Sequence, residues 1–502
     1  MASESVTVLG DLKMLAGDAY GDNIIDILDL ALVSRSFGSE PPSDPRADIN
    51  ENGMVDILDL VLVSKNYDRE GPTDGQNAAL TVIPPTLSSV VRDRPVEAKR
   101  AADANDPTAT WTLTPSKQSY AMGEVVTATL TLDKAAAGTP GLVVIDPVTG
   151  KTLISRAGRA LIPASTMKLL TCLVALETLG NDRTFTTSVV SPKSGVIVLR
   201  GGGDPLLHDA RTTGRASLQQ LAADTAAALR KTGVTKVTLG YDATLFEAAA
   251  WHRHWTDNYR YSVAPISALM VDSGFHPTTG LAEKDPAATA AKRFATRLAK
   301  AGITVTSTKR ATAAADDPVL TSMQSPPIQQ LIEHTLRYSD NVAAETLARQ
   351  VGLATDRGGS FADAEAAVRA MLKSLDLWTS GMVIDDNSGL SRENRVSPAA
   401  LAKAMKLVVN EPRFRSLLLG LPVGGVSGTL YDRFDDKAER AGRGVVRAKT
   451  GSLRDVSTLA GYLITADGAP LVFAIMANQV VRPFATRDWI DRTTAAWAAC
   501  GC

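Results

Sequence analysis

A serine and a lysine three residues apart carry the clearest chemistry in this chain. They lie in Ile162-Pro163-Ala164-Ser165-Thr166-Met167-Lys168-Leu169-Leu170-Thr171. Pro163 suits the start of a helix, and the apolar run Met167–Leu176 reads as a buried one. Ser165 then falls in the first turn and Lys168 one turn later, so i,i+3 spacing puts hydroxyl and amine on one face. Burial of that lysine should lower its pKa by desolvation, leaving a neutral amine able to take the serine proton. Ser-x-x-Lys alone recurs by chance in many chains, so the reading depends on what accompanies it.

Two more motifs follow in order. Tyr338-Ser339-Asp340-Asn341 supplies Ser-x-Asn within Leu331–Arg349, which reads as helix, and Lys449-Thr450-Gly451 opens a strand-like run. Ser-x-x-Lys, Ser-Asp-Asn and Lys-Thr-Gly in that order mark serine acyl-transferases that act on penicillins and D-Ala-D-Ala peptides. Predicted catalytic residues are Ser165, Lys168, Ser339, Asn341 and Lys449, with Thr450, Gly451 and Ser452 holding substrate.

The elements that must position these groups begin at Gly141. Leu142–Asp146 and Lys151–Ser155 read as a β-hairpin about a Pro-Val-Thr-Gly turn. Val456–Thr465 and Pro470–Ala477 form another about Asp467-Gly468, and Arg487–Ala499 reads as a closing helix. Hairpins at both ends with helices between predict an antiparallel sheet built from both chain ends and covered by helices. Residues 181–327 form an insert, with helices at Ser217–Thr232 and around Pro286–Gly302 and a strand at Lys236–Leu239, enough for one or two small α/β domains. The predicted divisions are 139–180 and 328–502 for the catalytic domain and 181–327 for the insert.

The N-terminal part differs. Residues 17–38 and 47–67 repeat one pattern, oxygen-bearing side chains at spaced loop positions followed by an amphipathic helix. The spacing matches an EF-hand-type calcium loop. Predicted ligands are Asp48, Asn50, Asn52, Asp56 and Asp59 in the second copy and Asp18, Asp22, Asp26 and Asp29 in the first. Tyr20 and Asn23 depart from the pattern and predict weaker binding in the first copy. A solvated acidic loop pair without metal is the alternative. Such a duplicated unit, here 10–70, resembles a small all-α dockerin module, which implies calcium and a cohesin domain as partner. Ile27-Leu28 and Ile57-Leu58 replace that family's usual polar pair and favour an apolar docking face. Residues 71–138 read as a linker with a short strand-rich spacer, Trp111–Thr114 and Val125–Leu132.

The chain has 502 residues, 53 Lys plus Arg against 54 Asp plus Glu, and 44% hydrophobic residues. This balance gives no nucleic-acid footprint. There is no apolar run long enough for a transmembrane helix. Met1-Ala2-Ser3-Glu4-Ser5 lacks the basic and apolar regions of a signal peptide, so an export signal was removed, lies outside this sequence, or the protein stays inside. Cys172 reads as a core residue; Cys500 and Cys502 could pair with each other or with another chain.

From about Gly141 onward the chain resembles the D-alanyl-D-alanine carboxypeptidase/endopeptidase family of low-molecular-mass penicillin-binding proteins, in its actinobacterial form. The resemblance rests on Pro-Ala-Ser165-Thr-Met-Lys168, Gly-Gly-Gly-Asp204-Pro, Ser339-Asp340-Asn341, Ser388-Gly389-Leu390-Ser391-Arg392 and Arg447-Ala448-Lys449-Thr450-Gly451-Ser452. Asn387 stands where the family usually has Gly, and Ser452 where it usually has Thr. The resemblance implies a serine transpeptidase/β-lactamase-like α/β fold and an acyl-enzyme on Ser165 formed from peptidoglycan stem peptides. It also implies inhibition by β-lactams, no cofactor for catalysis and an extracytoplasmic location. Three rivals remain: a cohesin-docking or wall-binding protein with little catalysis, a β-lactamase, and a Ser-His or metal hydrolase. The long interval before Ser-Asp-Asn and the lack of Glu-x-x-Leu-Asn after Asn341 speak against the second. Against the third, His252 and His254 flank Arg253 at a spacing that suits a strand more than a zinc site, and His208, His276 and His334 form no cluster with cysteine. Asp204 reads as a turn residue, with a substrate-pocket role as the alternative.

Overall fold

Strands from both ends of the catalytic segment meet in one sheet. In the computed structural model, the described residues are 140–500 apart from 157–158 and 247–248, the backbone of Thr112–Pro115, Ala128–Thr131 and Thr139, and Val33, Ala47 and Val55. The nine predicted calcium ligands lie outside the described residues.

In chain order, β1 (Thr112–Pro115) and β2 (Ala128–Thr131) pair antiparallel as a separate ribbon. β3 (Thr139–Ile145) and β4 (Thr152–Arg156) make the first hairpin, and a 3₁₀ turn at Ala164–Thr166 leads into α1 (Met167–Leu179). The insert contributes β5 (Thr186–Lys193), β6 (Val196–Arg200), α2 (Leu218–Lys231), β7 (Lys236–Asp242), α3 (Pro286–Lys300), β8 (Thr304–Arg310) and β9 (Val319–Gln324). Then come α4 (Ile328–Tyr338), α5 (Asn341–Ala354), α6 (Phe361–Ser374), α7 (Pro398–Asn410) and α8 (Arg415–Gly420). The chain returns through β10 (Arg447–Leu453), β11 (Val456–Ile464) and β12 (Pro470–Asn478) and closes with α9 (Pro483–Ala498).

The main sheet has the order β10-β11-β12-β3-β4, antiparallel throughout. All nine residues of β11 are buried, so the sheet is covered on both faces. Alternation along the strands divides the side chains. Val143, Ala460, Val472 and Ala474 pack in the core shared with α1 and α7, whereas Val144, Leu459, Phe473 and Ile475 pack with Trp489, Ile490 and Trp497 of α9.

The insert carries a mixed sheet of order β8-β7-β6-β5-β9. β6–β7 and β7–β8 are parallel, bridged by α2 and α3, because parallel neighbours need a long crossover. Ser217 caps α2 by accepting from Gln220 N, and Asp285 caps α3 by accepting from Ala288 N, with Pro286 in the first turn.

One helix boundary differs from the sequence reading. Leu331–Arg349 is not continuous: α4 ends at Tyr338, Ser339 takes left-handed geometry with φ 57°, and Asp340 caps α5 by accepting from Ala343 N. Helical periodicity runs through both pieces, which concealed the break. The serine and asparagine of Ser-Asp-Asn therefore sit at a helix junction, where side chains and backbone can face a site.

Candidate active site

Ser165 stands in the 3₁₀ turn rather than in the first turn of α1. Ala164 before it has φ 47°, a strained value for an alanine. Gly389 explains how the turn is held. With φ 85°, it lies so close that a Cβ there would meet Ala164 O at 1.9 Å. The Ser388-Gly389 loop is thus pressed directly on the serine's turn, and only glycine fits.

Lys168 is fully buried and joins Ser165, one turn before it, to two sequence-distant groups. Its Nζ is 3.0 Å from Ser165 Oγ and donates to Asn341 Oδ1 at 2.6 Å and Ser388 O at 2.7 Å. Burial pushes its pKa down to about 8, with the charges of Asp386, Glu345 and Asp340 opposing that shift. A neutral amine is therefore accessible near neutral pH, within hydrogen-bond reach of the hydroxyl, which is what a general base needs. Asn341 is itself fixed, its Nδ2 donating to Ser262 O of the insert at 2.8 Å.

The edge strand β10 closes the other side. A Cβ on Gly451 would meet Pro163 O at 2.8 Å and Ser165 N at 3.0 Å, so the backbone passes directly over the serine. Thr458 of β11 locks this approach, its Oγ1 donating to Pro163 O at 2.9 Å. Lys449 is fully buried and its Nζ donates to Thr450 O at 2.9 Å. Burial, reinforced by the charge of Lys168, holds its pKa well below the usual lysine range. Thr450 Oγ1 meets Thr429 Oγ1 at 2.7 Å, while Ser452 is exposed. The predicted residues thus separate into a bonded trio, Ser165, Lys168 and Asn341, and a flanking strand. No hydrogen bond links the Ser339 hydroxyl to Ser165 or Lys449.

Sequence reasoning missed the supports. Glu345, fully buried on α5, accepts from Asn387 N at 2.9 Å and Ser388 N at 2.7 Å, so it holds the loop whose carbonyl holds Lys168. Burial, with the nearby Asp386 charge, pushes its pKa up to about 7. Its position four residues after Asn341, on one helix face, was the available signal. Asp386 ties the same loop to the insert, accepting from Gly389 N, Ser391 N and the Trp255 indole.

Other expectations meet simpler fates. Asp204 is a buried turn residue whose Oδ1 accepts from Leu206 N at 2.8 Å. Cys172 is a buried free thiol pushed up to about 12 by burial, and Cys500 is disulfide-bonded. His252 and His254 do not lie on a strand. A turn closed by Trp255 N donating to His252 O carries them, and it brings both rings to Asp385. Spacing alone hid this because the third group lies 131 residues from His254.

The model of the D-Ala-D-Ala carboxypeptidase 3 (S13) family matches residues 126–284 and 276–499. This chain belongs to that family. A carboxypeptidase of Mycobacterium tuberculosis is 35% identical over 374 residues, covering 72% of this chain and 80% of the relative. Carboxypeptidase DacB of Mycolicibacterium smegmatis is 34% identical over 376 residues, with the same coverage of 72% and 80%. Among solved structures, penicillin binding protein 4 of Haemophilus influenzae shares the fold, with a TM-score of 0.62 at 20% identity, covering 71% of this chain and 96% of that one. The protein is accordingly an S13 hydrolase with a penicillin-binding-protein-like α/β fold. Among the described residues no helix is long and apolar enough to cross a membrane.

Proposed function

We propose that this S13 carboxypeptidase acts on peptidoglycan stem peptides through an acyl-enzyme on Ser165. The observation that carries the reading is the buried Lys168 amine, 3.0 Å from Ser165 Oγ with a pKa near 8. Lys168 takes the hydroxyl proton as Ser165 Oγ attacks the carbonyl of the penultimate D-Ala. The oxyanion is met by two backbone N–H groups, that of Ser165 and one from β10 after Gly451, whose close approach supports this placement. Ser339 relays a proton to the leaving amine, free D-Ala departs, and water hydrolyses the ester. Asn341 orients Lys168 and holds the substrate amide. Lys449 supplies positive charge beside Ser339 once the substrate's terminal carboxylate offsets the burial that lowers its pKa, and Thr450 and Ser452 hydrogen-bond that carboxylate along the edge of β10. A cross-bridge as acyl donor makes the same chemistry an endopeptidase.

β-Lactams acylate Ser165 on this reading; a second structure of the Haemophilus influenzae protein is of a β-lactam complex. The substrate places the enzyme outside the cytoplasm. The N-terminal repeat supports a separate calcium-dependent docking module for a cohesin domain, tested by calcium-dependent pull-down. For the enzyme, labelling with a fluorescent penicillin and mass spectrometry should place one adduct on Ser165, absent in Ser165→Ala. Release of D-Ala from a stem pentapeptide then establishes the substrate. Folded protein that forms no adduct would overturn the reading.

A further inference from the structure

We propose that His252, His254 and Asp385 form a binding site for a divalent transition-metal ion of the zinc type, which braces the insert against the loop that holds Lys168. One ligand atom from each of the three lies within 4.8 Å of the others. His254 Nδ1 is 2.8 Å from Asp385 Oδ2, and His252 Nε2 is 4.0 Å from the same oxygen. Ligands at about 2.0–2.1 Å around a tetrahedral zinc lie roughly 3.4 Å apart, and these two separations bracket that edge. The third edge, between the two histidines, lies within 4.8 Å.

The surroundings favour a cation. Glu365 Oε1 lies 3.4 Å from His252 Nε2, and Glu345 and Asp386 add negative charge around the same ring. His252 and Asp385 are buried, while 43% of the His254 side chain is exposed, so an ion has a solvent approach and room for a water as fourth ligand. The Asp385 backbone is held by its N–H donating to Asn394 Oδ1 at 2.8 Å. Asp385 Oδ2 meets His254 Nδ1 and accepts from the Ser391 hydroxyl, while the largely exposed Arg253 bonds the other oxygen, Oδ1. Any proton on a coordinating ring nitrogen passes to solvent on binding, so each imidazole coordinates as a neutral base with its N–H on the other nitrogen.

The position gives the ion a consequence. Asp385 begins the segment that continues through Asp386 and Asn387 to Ser388, whose carbonyl accepts from Lys168. The histidines belong to the insert, and zinc would join two pieces of chain that otherwise meet here through ion pairs and hydrogen bonds.

The test uses the full chain, stripped with chelator and titrated with zinc chloride while excess calcium occupies any acidic-loop sites. Calorimetry should give about one bound equivalent, and dialysed protein should retain zinc by elemental analysis. Thermal unfolding should rise by about 4 °C or more at saturating zinc, since an ion that binds only the folded state stabilises it by mass action. His254→Ala removes a part-exposed ligand without opening the core. It should weaken zinc binding at least about 10-fold and abolish the thermal shift, and Asp385→Asn should weaken it as well. Substoichiometric binding to wild type, or binding and shift unchanged in His254→Ala, would overturn the proposal. Penicillin labelling of the same samples keeps this outcome distinct from failure of the Ser165 reading.

Discussion

The two five-stranded sheets of this protein are built differently and are used differently. The main sheet buries every residue of β11 between helices, and its free edge, β10, lies over Ser165. The insert's sheet is packed at its centre, where Thr187–Val190 of β5 and Ile197–Leu199 of β6 are buried, but its outer strands are largely exposed: β8 and β9 bury none of their residues fully. A sheet packed on both faces can hold a nucleophile to within tenths of an ångström, because neither face can relax without opening core. The insert supplies no member of the Ser165–Lys168 pair. It reaches the site through Ser262 O to Asn341, the Trp255 indole to Asp386, and the two histidines at Asp385. The main sheet holds the reacting groups, and the insert's loop between β7 and α3 steadies them.

Changes in the covered half should therefore have the largest kinetic effects. Lys168→Met keeps the volume and removes a buried amine, so the fold should persist. Loss of the general base should slow penicillin acylation by about 10²–10⁴-fold in stopped-flow labelling. Equal acylation in the variant would remove Lys168 from the mechanism. Because the amine must be neutral to accept a proton, the wild-type rate should climb with pH and level off above about 8.

Two glycines sharpen the contrast. A Cβ on Gly451 would lie 2.2 Å from Thr458 Oγ1 and 2.8 Å from Pro163 O, forcing β10 away from Ser165. Gly451→Ala should cut the acylation rate constant by about 100-fold, the order of effect expected from a displacement near 1 Å. In the insert, a Cβ on Gly240 would meet Ala311 Cβ at 2.9 Å and Val198 Cγ2 at 3.0 Å. Gly240→Ala should lower the melting temperature and leave acylation of the folded fraction unchanged. If both variants lost acylation equally, the division between the sheets would fail.

What the sequence made legible follows the same division. Ser165, Lys168 and Asn341 announce themselves because hydroxyl, amine and amide at these spacings have few other uses together. Both hairpins and both insert helices were visible from period-two and period-3.6 patterns and their caps. The break at Ser339 was not, since Leu336 and Val342 continue an apolar helical face across it and only the backbone geometry differs. Glu345 and Asp386 were hidden for another reason. Both accept backbone N–H groups of a loop, and nothing in residue type marks a carboxylate that serves the main chain. The His252–His254–Asp385 cluster needed the fold itself, because a turn rather than a strand points both rings one way.

Glu345 provides a finer test within the covered half. Glu345→Gln keeps an oxygen to accept from Asn387 N and Ser388 N but removes a negative charge that raises the Lys168 pKa. The rising limb of the acylation profile should shift to lower pH, with a smaller change in the plateau. The wild-type Glu345 pKa is raised by burial from its ordinary 4.5 to about 7, so the folded state binds the proton more tightly than the unfolded one. Its contribution to stability is full below about 4.5 and is lost as pH rises through 7. The glutamine variant should therefore gain stability relative to wild type as pH rises across that window, measured by urea unfolding. An unshifted limb would make Glu345 a structural acceptor alone.

The smallest expected effect lies where the insert touches the loop. Trp255→Phe retains the ring packed against His252 and Phe361 but deletes the indole donor, 2.8 Å from Asp386 Oδ2. Asp386 keeps the N–H groups of Gly389 and Ser391 and the amide of Asn394, so its carboxylate stays satisfied. The loss should be about 1.5–3 kcal/mol of stability, the range for one buried hydrogen bond to a charged group. Acylation should slow by less than about 10-fold, because Ser388 and Gly389 are still held by Glu345 and by contact with Ala164. A loss as large as that of Gly451→Ala would mean that the insert positions the nucleophile directly. The insert would then count as part of the catalytic framework rather than its support.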